Sequence, residues 1–267
     1  MENNTQLKEM IRSMVIDVLQ GQKQEMASSQ PFKQAPRGQV EPGVFDTVDE
    51  AIQAAKAAQA RFEDCTLATR EKVIADIRAA MRPRVQELAQ KTVDETGMGR
   101  VADKVLKLNL TLDKTPGVED LVTECETGDN GMTLYELSAY GVIGAVTPST
   151  NPAETLICNT IGMLAAGNAV FFSVHPGAKH LSRLLVSELN QIIAKSIGIE
   201  NLIVTLREPS IESAQEMMLH PDVSLLVVTG GPGVVKQALQ SGKKVIGAGA
   251  GNPPAFVDET ADIKKAA

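Results

Sequence analysis

A chain of 267 residues, 43% apolar and 22% charged, is long enough for one large domain or two modest ones and can bury a core. Its 26 basic and 33 acidic residues give a net charge of −7, the wrong sign for a phosphate-backbone binder, and 3% aromatics with no Trp exclude a stacking platform for single strands. No apolar run approaches the roughly 20 residues that span a bilayer and no secretory signal opens the chain, so neither nucleic acid nor membrane is an expected partner and a reducing cytoplasm is the default.

In chain order, Leu7, Met10, Ile11, Met14, Val15, Val18 and Leu19 fall on one helical stripe, which predicts an amphipathic helix over residues 1–20. Residues 21–43 are rich in Gln, Ser, Pro and Gly, the composition of a flexible linker. A short tethered helix is marginal alone in water, so its apolar face either docks into a partner's groove, folds back on its own chain or pairs as a coiled coil.

The folded region is expected to begin near Val44. Helical patterns cover 48–64, 70–96 with a break at Pro83, and 102–112. The turn GDNG and the alternating segment after it predict one strand of a hairpin near 131–140. From Gly141 onward, short runs of branched aliphatics alternate with helices at 151–166, 180–197, 211–219 and 232–240, and a last strand is expected in NPPAFVDE. This alternation specifies the α/β class: an open parallel sheet, Rossmann-like, with helices on both faces and ligands outside the carboxyl ends of its strands.

Four turns fall at that edge. Residues Thr147, Pro148, Ser149, Thr150 and Asn151 precede a helix and serve either as caps or as donors to a developing oxyanion. His175, Pro176 and Gly177 follow a strand; a lone His there is either a hydrogen-bonded structural residue or part of a site. Thr229, Gly230 and Gly231 lead into a helix, as an ordinary βα turn or a phosphate cradle. Gly247, Ala248 and Gly249 belong to a glycine run that leads into no helix, so it is a structural turn or a ligand floor and not a dinucleotide fingerprint. The three cysteines are widely spaced and suggest neither a metal site nor a disulfide framework. None makes a good nucleophile: Cys125 lies between Glu124 and Glu126, Cys65 in a surface-like turn and Cys158 inside an apolar helix.

Taken together, TGMGR…DK, TPGVEDL, GDNGMTL, GVIG.VTPSTNP, AAGNAV, HPGAK, LVVTGGPGVV, SGKKVIGAGAGNPP and VDETAD resemble the aldehyde dehydrogenase superfamily. Within it they resemble the CoA-acylating branch that acts on propionaldehyde in propanediol-utilisation microcompartments. The resemblance runs from about Val44 to Ala267 and implies an aldehyde-dehydrogenase-like cofactor-binding domain over 44–267. It implies NAD as cofactor, with NADP left open by Ala178 at the family's acidic position, and CoA as co-substrate with a short aldehyde. Thr147 to Thr150 would line the nicotinamide; Thr150 stands at the family's oxyanion Asn, and Asn151 beside it is the candidate donor. His175 and Pro176 would contact the adenosine ribose, and Thr229, Gly230 and Gly231 the pyrophosphate.

Gly247 stands where hydrolytic relatives carry a Glu that activates water, which fits acyl transfer to a thiol instead. The nucleophilic Cys is expected beyond Ala267, outside this sequence. The resemblance makes residues 1–20 a peptide that docks to a microcompartment shell protein, placing the protein in the compartment lumen, and implies a homo-oligomer at full length. A reading from another class is a non-catalytic binding or shell-adaptor module on the same fold.

Overall fold

The structure, a computed structural model, describes residues 41–249, 251 and 254–266. The expected helix over 1–20 and residues 21–40 of the expected linker lie outside the described residues. Residues 41–43, also expected in the flexible linker, are instead tied to the fold, because Glu41 pairs with Arg183 at 2.6 Å and Arg207 at 2.8 Å and the Gly43 carbonyl accepts from the Thr205 N–H at 2.8 Å.

The chain enters on a short strand, β1 (Val44–Phe45), and continues into helices α1 (Val48–Glu63), α2 (Leu67–Met81), α3 (Val85–Thr96) and α4 (Val101–Lys114). Thr47 and Thr66 cap α1 and α2, accepting from the backbone N–H of Glu50 and Thr69. Pro83 lacks the donor a helix interior needs and sits in a 3-10 turn, Arg82–Arg84, at the expected break. A hairpin follows, β2 (Glu124–Gly128) against β3 (Gly131–Tyr135). The strand predicted to run on toward residue 140 stops at Tyr135, because pairing on β2 begins only at Glu124. Every residue of both strands is exposed.

The remainder is β4 (Val142–Val146), α5 (Pro152–Ala165), β5 (Ala169–Ser173), α6 (Lys179–Ile197), β6 (Ile203–Leu206), α7 (Ile211–Leu219), β7 (Val223–Thr229), α8 (Pro232–Leu239), β8 (Lys244–Ala248) and α9 (Ile263–Ala266). Six strands form one sheet in the order β1-β6-β5-β4-β7-β8, parallel throughout. The chain steps from β4 to β5 to β6, returns across the sheet to β7 and moves on to β8. Right-handed crossovers in opposite directions place α5 and α6 on one face and α7 and α8 on the other. Helix α1 joins α7 by packing on β4, β5 and β6, while α2 lies over α5 and α6. The central strand β5 is buried along its whole length, with Val170, Phe171 and Phe172 filling both faces.

On β4, Gly144 admits close approach of α7: a Cβ there would meet Met217 Sδ at 2.2 Å and Leu226 Cδ2 at 2.9 Å. At the entry to β4, Asn168 Oδ1 accepts the backbone N–H of Tyr140 at 2.6 Å and of Gly141 at 3.2 Å. The strand expected in NPPAFVDE does not form. Residues 254–260 carry no ladder, and Phe256 is 97% exposed; its two prolines remove donors that pairing on the outer edge of β8 would require.

Glu95 on α3 joins two helices. Its Oε1 accepts the N–H of His180 at 2.8 Å and its Oε2 that of Leu181 at 2.7 Å, capping α6, whose own N-cap residue Ala178 supplies no side-chain bond. A carboxylate there also meets the positive end of the helix. Glu95→Ala is expected to lower stability by about 1–2 kcal/mol in denaturant unfolding, and Glu95→Gln by less, since it keeps one acceptor.

Candidate functional site

The strand order reverses at β4, and a cavity of about 650 Å³ opens where β4, β5 and β7 end. This is the switch-point crevice where open α/β sheets bind ligands. Of the positions singled out in sequence, Thr147, Pro148, Ser149, Thr150, Asn151, His175, Pro176, Thr229, Gly230, Gly231 and Gly249 line it. Gly177, Gly247 and Ala248, also singled out, are not among the lining residues. The Gly177 N–H donates to His175 Nδ1 at 3.0 Å, the Ala248 carbonyl accepts from the Gly230 N–H at 3.1 Å, and Gly247 lies within β8.

Helix starts at this edge differ in a way that sets their chemistry. The start of α6 is taken by Glu95, and α7 is closed by a reciprocal capping box between Ser210 and Ser213. Helices α5 and α8 have no side-chain cap, and each carries Pro at its first position. The first helical bonds come from the N–H of Thr155 and Val235, so those of Ala153, Glu154, Gly233 and Val234 have no intrahelical acceptor. Two open, positive helix ends therefore frame the cavity, a setting suited to an anionic group. At α8 the approach is by Gly231, in extended conformation (φ −68°, ψ 165°) with nothing within 4 Å of where a Cβ would lie.

Side chains supply the remaining polar features. Thr147 is buried and its Oγ1 has no partner, an orphan acceptor and donor on the cavity wall that a bound amide or hydroxyl would satisfy. The His175 Nδ1 accepts the Gly177 N–H, so the neutral ring carries its proton on Nε2 and is a donor there, not a base. The structural role weighed for His175 is thus present together with a position on the cavity. Asn151 occupies the N-cap position of α5 without capping it: its Oδ1 accepts instead from Lys104 at 3.0 Å and Lys107 at 3.2 Å. Outside the cavity lining, Lys179 hydrogen-bonds Glu208 and holds that carboxyl below the usual range.

Sequence reasoning did not single out Ser173, Ser210, Ile211 and Ala214, which also line the cavity, nor the buried Lys104 behind Asn151. The Ser-x-x-Ser pattern before Met217 and Met218, and the lysine closing TGMGR…DK, were the available signals. Cys158 is exposed, not enclosed in its apolar helix. It lines a second cavity of about 410 Å³ with Lys107, Asn151 and Glu154. Among the described residues, no group of His, Cys, Asp and Glu could hold a metal, and no helix is long and apolar enough to cross a membrane.

An open parallel sheet with an anion-suited switch-point cavity defines the class of nucleotide-binding α/β domains. Residues 18–267 match the aldehyde dehydrogenase family, and the chain belongs to that family. It is 49% identical over 265 residues to a propanal dehydrogenase (CoA-propanoylating) of Salmonella typhimurium, covering 99% of this chain and 55% of that protein. A propionaldehyde dehydrogenase from the Clostridium phytofermentans fucose utilisation bacterial microcompartment is 51% identical with a TM-score of 0.79, covering 85% of this chain and 52% of that one. A Rhodopseudomonas palustris propionaldehyde dehydrogenase, solved with bound CoA and an acylated cysteine, is 52% identical at the same TM-score, 0.79, over 85% of this chain and 52% of its own. An engineered glycolyl-CoA reductase with bound NADP+ is 50% identical, TM-score 0.79, over 86% and 52%. The chain thus spans about half the length of the relatives it matches.

Orphaned Thr147 Oγ1, the His175 donor and two uncapped helix starts fit the amide, hydroxyl and phosphate groups of a nicotinamide dinucleotide. Gly231→Glu would bring a carboxylate to the open end of α8, at a position where an added Cβ meets nothing within 4 Å. It is expected to weaken NAD binding to the full-length protein by about tenfold, roughly 1.4 kcal/mol, in a calorimetric titration, whereas Gly231→Ala stays within about threefold. Equal weakening by both would contradict an electrostatic role for that helix end.

Proposed function

We propose that this chain is the cofactor-binding portion of a CoA-acylating aldehyde dehydrogenase that oxidises a short aldehyde, propionaldehyde foremost, to its acyl-CoA. The observation that carries the proposal is the switch-point cavity framed by the uncapped starts of α5 and α8. The CoA-propanoylating relative and the CoA-bound, cysteine-acylated neighbour support the reaction class.

In this reading residues 44–267 form the cofactor domain and the nucleophilic Cys lies on the remainder of the protein. That thiolate adds to the aldehyde, and after oxidation the acyl group passes as a thioester to CoA. The chemistry NAD would supply when bound is that of hydride acceptor for the carbon of the thiolate adduct; the neighbour with NADP+ keeps the phosphorylated form as an alternative to be measured. The chain's own residues orient the participants. Thr147 to Thr150 would border the nicotinamide end, His175 and Pro176 would meet the ribose, and Thr229 to Gly231 would hold the pyrophosphate at the start of α8. Asn151 is the donor proposed for the developing oxyanion.

Gly247 offers no carboxylate to activate water. A Cβ at that position would lie 3.1 Å from Val235 Cγ1, a tight contact. Without a base for water, a thiol near its own pKa is the better acceptor of the acyl group.

The organisation proposed for the N-terminus is a shell-docking helix over 1–20 and a linker over 21–43, which places the enzyme in a microcompartment lumen; the microcompartment source of one neighbour supports this. The exposed β2–β3 hairpin is proposed as an oligomerisation element of the full-length homo-oligomer.

Full-length protein is expected to form NADH only with both propionaldehyde and CoA present, releasing propanoyl-CoA, while the 267-residue chain alone gives no turnover. Equal NADH formation without CoA, or robust turnover by the chain alone, would contradict the proposal. A reporter carrying residues 1–20 is expected to gather at shells in shell-forming cells; diffuse signal there removes the docking role.

A further inference from the structure

Lys104 is a lysine on α4 with 3% of its surface exposed. Burying an ammonium costs several kcal/mol unless acceptors replace its water. Here two acceptors and a carboxylate from one short stretch of chain do so. The Nζ donates to the Thr150 carbonyl at 2.5 Å and to Asn151 Oδ1 at 3.0 Å, and it lies 3.3 Å from Glu154 Oε1. Glu154 is itself buried, and its carboxylate oxygens make no well-formed hydrogen bond. Its contribution to this cluster is negative charge beside the ammonium.

Pinning the loop to α4 would need only the Thr150 carbonyl and Glu154. The second cation is informative. Lys107, one turn along α4, donates to the same Asn151 Oδ1 at 3.2 Å. An amide end that receives two ammonium groups must be its oxygen, because an NH₂ there would be repelled. The Nδ2 donors are thereby turned away from both lysines, and Asn151 lines the switch-point cavity. Two cations on Oδ1 also polarise the amide, which strengthens its N–H groups as donors.

We infer that Lys104 is a positioning residue that, with Glu154 as counter-ion and Lys107 as second donor, fixes the Asn151 amide so that its N–H groups meet the aldehyde oxygen as negative charge develops on it. This rests on the function proposed above. It also gives Asn151, one place beyond the family's donor position, a physical reason to serve in that role.

The test uses the full-length enzyme. Lys104→Met is expected to lower kcat for CoA-dependent propionaldehyde oxidation by about tenfold or more, with the KM for NAD held within about twofold. Added to Asn151→Ala, it is expected to cause no further loss, because both changes remove one donor function. Should Lys104→Met fail to fold, Lys107→Met removes the exposed second cation and is expected to lower kcat by about two- to fivefold, again without a shift in the KM for NAD. Losses that multiply between Lys104→Met and Asn151→Ala, or unchanged kcat in Lys107→Met, overturn the inference. A wild-type enzyme without CoA-dependent aldehyde oxidation overturns the proposed function as well. An active wild type whose kcat both lysine variants retain overturns this inference alone.

Discussion

Because β4 lies between β5, the strand that follows it, and β7, reached only after the chain has recrossed the sheet, the helices that leave β4 and β7 lie on opposite faces. Their starts part at the carboxyl edge, and the cavity occupies the gap. Burial of the sheet on both faces enforces this arrangement. Phe171 and Phe172 point to opposite sides of β5, and each side needs its own helices to exclude water. At the reversal itself, the missing side chain of Gly144 lets α7 seat against β4 and β7. The site is thus a product of chain routing before any particular side chain is considered.

What side chains add is a division of the helix starts. Glu95 closes α6, and the Ser210–Ser213 box closes α7, so these ends are neutralised or satisfied from within. Helices α5 and α8 keep free N–H groups facing the cavity, and Asn151, a residue type that ordinarily caps a helix, is drawn aside by two lysines. Leaving donors unpaired costs stability unless a ligand or water takes them. That cost is concentrated at one edge of the molecule, the usual location of local conflict between folding and function.

Much of this was legible in the amino-acid sequence, and the residues explain why. Strands β4 to β7 are short runs of branched aliphatics between turn signals, and Pro83 and Gly97 punctuate the helices as their backbone constraints require. The hairpin was visible on one side only: Met132 to Tyr135 alternates, but its partner Glu124 to Gly128 is charged and exposed and carries no strand signal. The strand expected from NPPAFVDE failed because apolar content was weighed above its missing donors. At the site, the turns could be placed at the correct edge from the alternation of strand and helix alone. Lys104 could not, because an isolated lysine in a helical pattern normally faces solvent; its burial depends on a loop 46 residues further along the chain. The exposure of Cys158 was not legible either, since an apolar helical pattern does not reveal which of its residues packing covers.

A crystal structure of the full-length protein with NAD bound tests the cavity as a dinucleotide site most directly. The pyrophosphate is predicted within hydrogen-bond distance of the backbone N–H of Gly233 or Val234, with His175 beside the adenosine ribose. A dinucleotide seated outside the switch-point cavity, or one whose pyrophosphate makes no contact with the start of α8, would contradict it.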